Sequence, residues 1–320
     1  MVKDWKEVLL RSGVPLEYEV GQLLASKGFD VDADFPYMRK DVEGEKEHSI
    51  DVMAEKPLDT GRADSSHISL LVECKYRSPE KTLLLFEAPL SPNTPLHVGG
   101  TVHAYDEFVP YYLKGDCFRK VEEDLSIVYK GVELHTNDAV ERDFRRSVEQ
   151  LRYAAPVALR RGLDMTLFGH PADNGAWFFA KVVVTNARIM LVGGDVDVAR
   201  VQAADRLEDV AEEIDGAILF SEYGPDYERH FKGMFADVAD EMTESAKRVG
   251  KYVKEKGKKV DAISKATDKV RDLLAGRRNE CRELSTQFFV SSVKFLPELV
   301  DGIEKGAKRA LKGRKQERAA

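Results

Sequence analysis

The stretch Ile68 to Arg77, ISLLVECKYR, constrains this chain more than any other. Its apolar content reads as a buried strand, yet Glu73 and Lys75 stand near its middle. Residues two apart in a strand share a face. Ser69, Leu71, Glu73 and Lys75 are therefore expected on one side, and Leu70, Val72, Cys74 and Tyr76 on the other. Burying such charges is costly unless they are paired or coordinate a metal. A second strand is expected at His48 to Glu55, HSIDVMAE, with Asp51 on the face of Ser49 and Met53, while Ile50 and Val52 point the other way.

The neighbouring segments supply a frame for these two strands. Pro15 to Gly28 carries Leu16, Val20, Leu23 and Leu24 at helical spacing and ends at a glycine, a common helix stop. Phe29 to Phe35 alternates as a half-buried strand does, and the Pro, Gly, Asp and Ser residues of KPLDTGRADSSH mark a loop between the two later strands. The order is helix, strand, strand, strand. Residues from about 78 to 125, rich in proline, read as an insertion. Ser126 to Leu134 reads as a strand or short hairpin. Asp138 with Glu141 has capping-box spacing and would open a helix to about Arg161. Trp177 to Val184 and Arg188 to Val192 are two further strands of the same sheet, with Thr185 to Ala187 as the turn. From Pro225 onward the pattern is helical. Apolar residues from Phe231 to Val260 recur near an eleven-residue period, and Cys281 to Ile303 forms a second amphipathic block that folds back on the first. Lys305 to Ala320 is expected to fray.

Charge is divided unevenly along the chain. Residues 245 to 320 hold 21 Lys and Arg against 10 Asp and Glu, a balance of +11 that leaves −18 for residues 1 to 244. An acidic body with a basic tail raises the prior for a polyanion or anionic membrane surface as the tail's partner, against an ordinary solvated helix. Three cysteines, Cys74, Cys117 and Cys281, lack CxxC or CxxH spacing, which argues against a disulfide framework or structural zinc. With no signal-like N-terminus and no long apolar run, a cytoplasmic setting is expected. P-loop, GxSxG, HExxH and dinucleotide fingerprints are absent.

A helix bearing Glu17, a strand bearing Asp51 and a following strand bearing Glu73-Cys74-Lys75 resembles the restriction-endonuclease-like PD-(D/E)XK nuclease superfamily, in its Mrr-like branch. The resemblance covers residues 15 to 77 and more loosely continues to about 193. It implies an α/β fold: a restriction-endonuclease-like core with a mixed central sheet flanked by helices over residues 1 to 224, followed by an all-helical amphipathic C-terminal region over 225 to 320. Further, it implies a deoxyribonuclease using Mg²⁺, with Mn²⁺ as a substitute. Asp51, Glu73, the Cys74 carbonyl and Glu17 would hold the metal, and Lys75 would be the catalytic lysine. No proline precedes Asp51, and Gln150 and Tyr153 are one residue too close for the Gln-x-x-x-Tyr element of RecB-like relatives. Glu19 is an alternative to Glu17, since both lie equally far from the apolar centre of their helix.

These residue types suit phosphodiester hydrolysis independently of the family. Mg²⁺ takes hard oxygen ligands and needs only one or two carboxylates. It lowers the pKa of water and neutralises developing charge. A lysine held beside the carboxylates can orient the water or bind the non-bridging oxygens. The plainer alternatives are a Glu73–Lys75 ion pair on a solvated sheet face, and a solvated helix face for Arg142, Arg145, Arg146 and Arg152. DNA is the expected partner, with self-association through the C-terminal helices as a second use of the tail and a membrane surface ranked below both. The alternative function is a catalytically inactive nuclease-like fold that binds nucleic acid, a partner or a membrane surface through its amphipathic helices.

Overall fold

The computed structural model describes residues 4–41, 44–58, 66–78, 81–89, 101–106, 109–110, 117–135, 138–168, 176–236 and 284–318. Two N-terminal helices, α1 (Trp5–Arg11) and α2 (Val14–Ser26), lead into a meander of β1 (Asp30–Asp41), β2 (Gly44–Leu58) and β3 (Ser66–Lys75). Gly28, at φ +83°, takes the left-handed conformation that stops α2 and turns the chain into β1. The insertion contributes β4 (Thr82–Glu87), β5 (Val102–Asp106), β6 (Val109–Pro110) and a single turn, α3 (Arg119–Glu122). Next come β7 (Ser126–His135), β8 (Asp138–Val140), α4 (Arg142–Phe168), β9 (Trp177–Thr185), β10 (Arg188–Val192) and α5 (Val198–Ala203). The remainder is β11 (Glu212–Glu213), β12 (Gly216–Phe220), α6 (Pro225–Phe235), β13 (Gln287–Ser292) and α7 (Leu296–Arg318).

Ten strands follow one another in the order β1-β2-β3-β9-β13-β12-β7-β4-β10-β11, with β5 on the free half of β9 and β8 on β7. The ladders are mixed: β3/β9, β9/β13, β12/β7 and β4/β10 are parallel, the others antiparallel. This is the α/β class expected, a large mixed sheet with helices on both faces. β9 and β10 stand five places apart in the order, yet only Asn186 and Ala187 separate them. Three peptide links reach at most ~11 Å, whereas five spacings on a flat sheet need about 24 Å. The sheet therefore curls, and β3 and β9 turn together at a corner into β4 and β10. Side chains lock that corner. Thr185 Oγ1 donates to the Lys75 carbonyl (2.8 Å), and the Asn186 amide both accepts from the Arg77 N–H (2.7 Å) and donates to the Arg77 carbonyl (2.8 Å).

Each face has its own core. α4 and α6 cover one, packing Phe144, Val148, Leu151, Phe231 and Phe235 onto Leu71, Val183 and Phe288. On the other, α2, α3 and α7 place Leu16, Val20, Val121, Leu299 and Ile303 against Val72, Val182 and Phe289.

Several expectations give way. Gln287 to Ser292 is a strand, so the C-terminal region is not all helical, and a boundary at 224 does not separate it from the sheet. Consecutive Phe288 and Phe289 enter opposite cores, because a strand buried on both faces reads as a continuous apolar run that mimics a helix segment. Asp138 starts β8 and its carboxylate accepts from the Ala139 N–H, so it is not a helix cap. β9 and β10 do extend the same sheet as expected, although they do not pair with each other. α7 holds its helix to Arg318, with Ala307, Ala310 and Leu311 buried. The apolar stripe from Val238 to Val260, and Cys281, lie outside the described residues.

Candidate functional site

Asp51, Glu73 and Lys75 meet where the first three strands lose their regular pairing. The β2/β3 ladder ends at Val52↔Val72, one step before Asp51 and Glu73 would face each other. In place of the next ladder bond, Asp51 Oδ2 accepts from the Cys74 N–H at 2.6 Å. On the opposite side of β2 the β1 register runs from Ala33↔Val52 to Phe35↔Ile50, leaving Asp34 unpaired at φ +52°. A left-handed non-glycine residue is uncommon, and aspartate tolerates it better than most. It also explains a departure from strict alternation. Ile50 and Met53 enter the same core while Val52 enters the other, so the strands exchange faces at this point.

β3 keeps the expected alternation. Leu71 packs with α4 on one face, and Leu70, Val72, Cys74 and Tyr76 pack on the other. Glu73 is fully buried, and its Oε2 accepts from Lys75 Nζ at 3.0 Å. Its Oε1 is also buried and has no hydrogen-bond partner among the described residues. An unsatisfied buried carboxylate oxygen carries a desolvation cost. Burial accordingly pushes the Glu73 carboxyl up to about 8, with the Asp51 charge adding and Lys75 opposing.

Glu17 stands half-buried on α2. Gly13, at φ +83°, precedes the helix, and a Cβ there would lie 3.0 Å from Glu17 Oε1. Burial raises the Glu17 carboxyl, the Asp51 and Asp34 charges raise it further, and Lys75 lowers it. Asp51 is likewise raised, by burial first and by Asp34, against the Cys74 N–H and Lys75. The Asp51 and Lys75 charges both act on Glu17. Glu19 is exposed. The Cys74 thiol is buried and pushed well up by burial and the surrounding carboxylates, so it is no nucleophile. Only its backbone is available to the site.

Five residues escaped the sequence reading or change their part in it. Asp34 belongs to the carboxylate group, but nothing in FDVDADF signals a left-handed residue. Tyr37 is buried near Glu73, its hydroxyl raised by burial and then by the Glu73 charge. Gln150 of α4 donates to the Ser49 carbonyl at 3.0 Å, two residues before Asp51, so it holds the irregular strand. Arg77 is spent on Glu133 through two bonds of 2.6 and 2.7 Å. Arg152 is not on a solvated face. It is buried, pairs with Glu149, and donates to the Ser285 carbonyl (3.0 Å) and the Ser221 carbonyl (2.8 Å).

Among the described residues no group of three or more His, Cys, Asp and Glu side chains is arranged to hold a metal ion. One oxygen of Asp51 and one of Glu73 are already engaged, by Cys74 and Lys75. What stays open is the second oxygen of Asp51 and the buried, unsatisfied Oε1 of Glu73. Two carboxylates and a main-chain carbonyl suit Mg²⁺, which keeps several waters. No helix among the described residues is long and apolar enough to cross a membrane. Comparison with protein-family models, curated proteins and solved structures finds no match.

Proposed function

We propose that this chain is a metal-dependent deoxyribonuclease of the restriction-endonuclease-like PD-(D/E)XK kind, acting as an endonuclease in restriction, repair or recombination. The observation that carries the proposal is the buried Glu73 Oε1, left without a partner beside Asp51 and Lys75 at the break in the β2/β3 ladder. A purely structural ion pair would not need the second carboxylate or an unsatisfied oxygen.

Asp51, Glu73 and the Cys74 carbonyl would hold Mg²⁺, with Glu17 reaching it from α2. The bound ion supplies a more acidic water and a counter-charge for the phosphodiester. Lys75, held by Glu73, is oriented to donate to the attacking water or a non-bridging phosphate oxygen. Gln150 holds the backbone of the break two residues before Asp51.

The test is cleavage of single-stranded, duplex and branched DNA with Mg²⁺ or Mn²⁺. Asp51→Asn and Lys75→Ala are each expected to lower the rate by at least about 100-fold, the scale of a lost general acid–base or electrostatic contribution. Thermal melting gives a second readout, since Mg²⁺ should raise the melting temperature of the wild type and not of Asp51→Asn. Cleavage undiminished in Lys75→Ala, or no cleavage of any substrate, overturns the proposal. A second reading, a non-catalytic binding module, is supported by the exposed Trp5, Val8, Leu9 and Leu10 of α1. It predicts a bound partner whose affinity ignores both substitutions.

A further inference from the structure

The described surface contains a broad groove away from Asp51 and Glu73. It has a volume of about 1150 Å³ and runs between α3 and α7. Lys120 of α3 and Lys305, Lys308, Arg309 and Lys312 of α7 line it. On a helix, residues three and four apart are neighbours, so the α7 cations form one stripe. The opposite stripe, Leu299, Val300, Ile303, Ala307 and Ala310, is buried against the sheet.

The lining also includes Asp124, Asp215, Glu298 and Asp301, so its character is set by how the charges are distributed. Glu298 and Asp301 occupy the first two turns of α7, ahead of every cation in the helix. Asp301 is taken by Lys27, and Asp215 accepts from Ser292 Oγ at 3.3 Å. Glu304 accepts from both Lys56 and Lys308. Among the described residues Lys120, Lys305, Arg309 and Lys312 have no carboxylate partner. The helix dipole accounts for cations late in α7. It does not account for Lys120 across the groove, or for Arg309 Nε, which is buried and has no hydrogen-bond partner among the described residues. A guanidinium edge withdrawn from water without an acceptor is destabilising unless an anion supplies one.

We infer that the α3/α7 groove is a track for a nucleic-acid phosphodiester backbone. Lys305 to Lys312 spans about 10 Å at the helical rise, roughly the axial distance from the first to the last of four successive phosphates of one strand. A membrane surface fits less well. The groove's apolar lining, Val121, Ile214, Phe295 and Leu299 among it, is buried or half-buried at its floor, and the exposed large apolar side chains that could enter an acyl boundary, Trp5 and Tyr18 among them, lie elsewhere. The inference concerns binding, and it stands or falls independently of cleavage.

The experiment is equilibrium binding of the full chain to labelled duplex and single-stranded DNA by fluorescence anisotropy, in EDTA, across a salt series. Lys120→Gln/Lys305→Gln/Lys312→Gln alters only exposed side chains, and matching melting curves will show that it folds. It is expected to weaken binding by about 10-fold or more and to lower the slope of log K against log salt by about 2 to 3. Arg200→Gln/Arg229→Gln/Lys232→Gln removes the same charge elsewhere and should change neither. No DNA binding, an unaffected groove variant, or equal loss in both variants overturns the inference. So does groove-dependent binding to phosphatidylserine vesicles in place of DNA. Asp51→Asn should bind as the wild type does, so a chain that binds through the groove but never cuts would refute the nuclease proposal alone.

Discussion

Glu73 sets a pH dependence that the rest of the site can be judged by. Its carboxyl is moved from 4.5 to about 8, chiefly by burial. Between those values the folded chain holds a proton that the unfolded chain has released, so the native state binds more protons and stability falls as pH rises. Below the window both states are protonated, above it both are ionised, and the slope disappears at either end. The slope from one such group is at most about 1.4 kcal/mol per pH unit. Asp51 and Glu17 are raised as well and act in the same direction. Melts of the metal-free protein should lose stability across this range, and Glu73→Gln should be flatter; identical profiles would show that Glu73 is ionised in the fold without a cation. The alternation that puts Glu73 and Lys75 on one side of β3 could be read from the chain, because a two-residue period needs no tertiary information. The choice between Glu17 and Glu19 could not. Both lie equally far from the apolar centre of the helix, and only the position of β2 beneath α2 separates them. Asp34 was invisible for a related reason, since a left-handed residue inside an alternating strand leaves no mark on the pattern.

At the scale of elements, β13 is held by two buried cations. Lys181 of β9 is fully buried and donates to the Leu284 carbonyl at 2.6 Å, while Arg152 of α4 donates to the Ser285 carbonyl. Both carbonyls belong to the helical residues 284–286 that lead into β13, where a helix end would otherwise present unsatisfied acceptors to the core. Burial, and then the Arg152 charge, brings the Lys181 ammonium down from 10.5 to about 7. Here the sign is opposite to that of Glu73. Between about 7 and 10.5 the unfolded chain binds a proton that the folded chain does not, so stability rises with pH through this range. Lys181→Met should remove that rise. It should also leave the Leu284 carbonyl unsatisfied, at about 1 to 3 kcal/mol. Denaturant unfolding of both proteins at several alkaline pH values checks this, and a rise that persists in the variant would contradict it. The sequence shows Lys181 only as an interruption of an apolar run. Its partner lies 103 residues away, and no local pattern announces such a pairing.

At the scale of the whole molecule, the composition shift near residue 225 points to a boundary that the sheet does not respect. β13 enters between β9 and β12, pairing Phe289 with Val182 on one side and Ala217 with Val290 on the other. It brings Phe288 and Phe289 to the centre of the two cores, each contributing roughly 1.5–3 kcal/mol of burial. α7, which follows directly, covers the outer face through Leu296, Leu299, Val300 and Ile303. The helix-strand-strand-strand order at the start was legible because those elements meet their immediate neighbours. β13 was not, because its partners, β9 and β12, come from two separate earlier stretches of chain and its two-sided burial erases the alternation that marks a strand. A fragment ending at Gly224 would have to expose the edges of β9 and β12 together with the face now under α7. Unpaired apolar edges of that kind aggregate. The fragment is therefore expected to be insoluble or to lack a cooperative melt, whereas the full chain unfolds in a single transition. Adding residues 225–320 as a separate polypeptide during refolding should restore the transition, since β13 and α7 would then be present in trans. A fragment of residues 1–224 that melts cooperatively by itself would show that the sheet closes without β13.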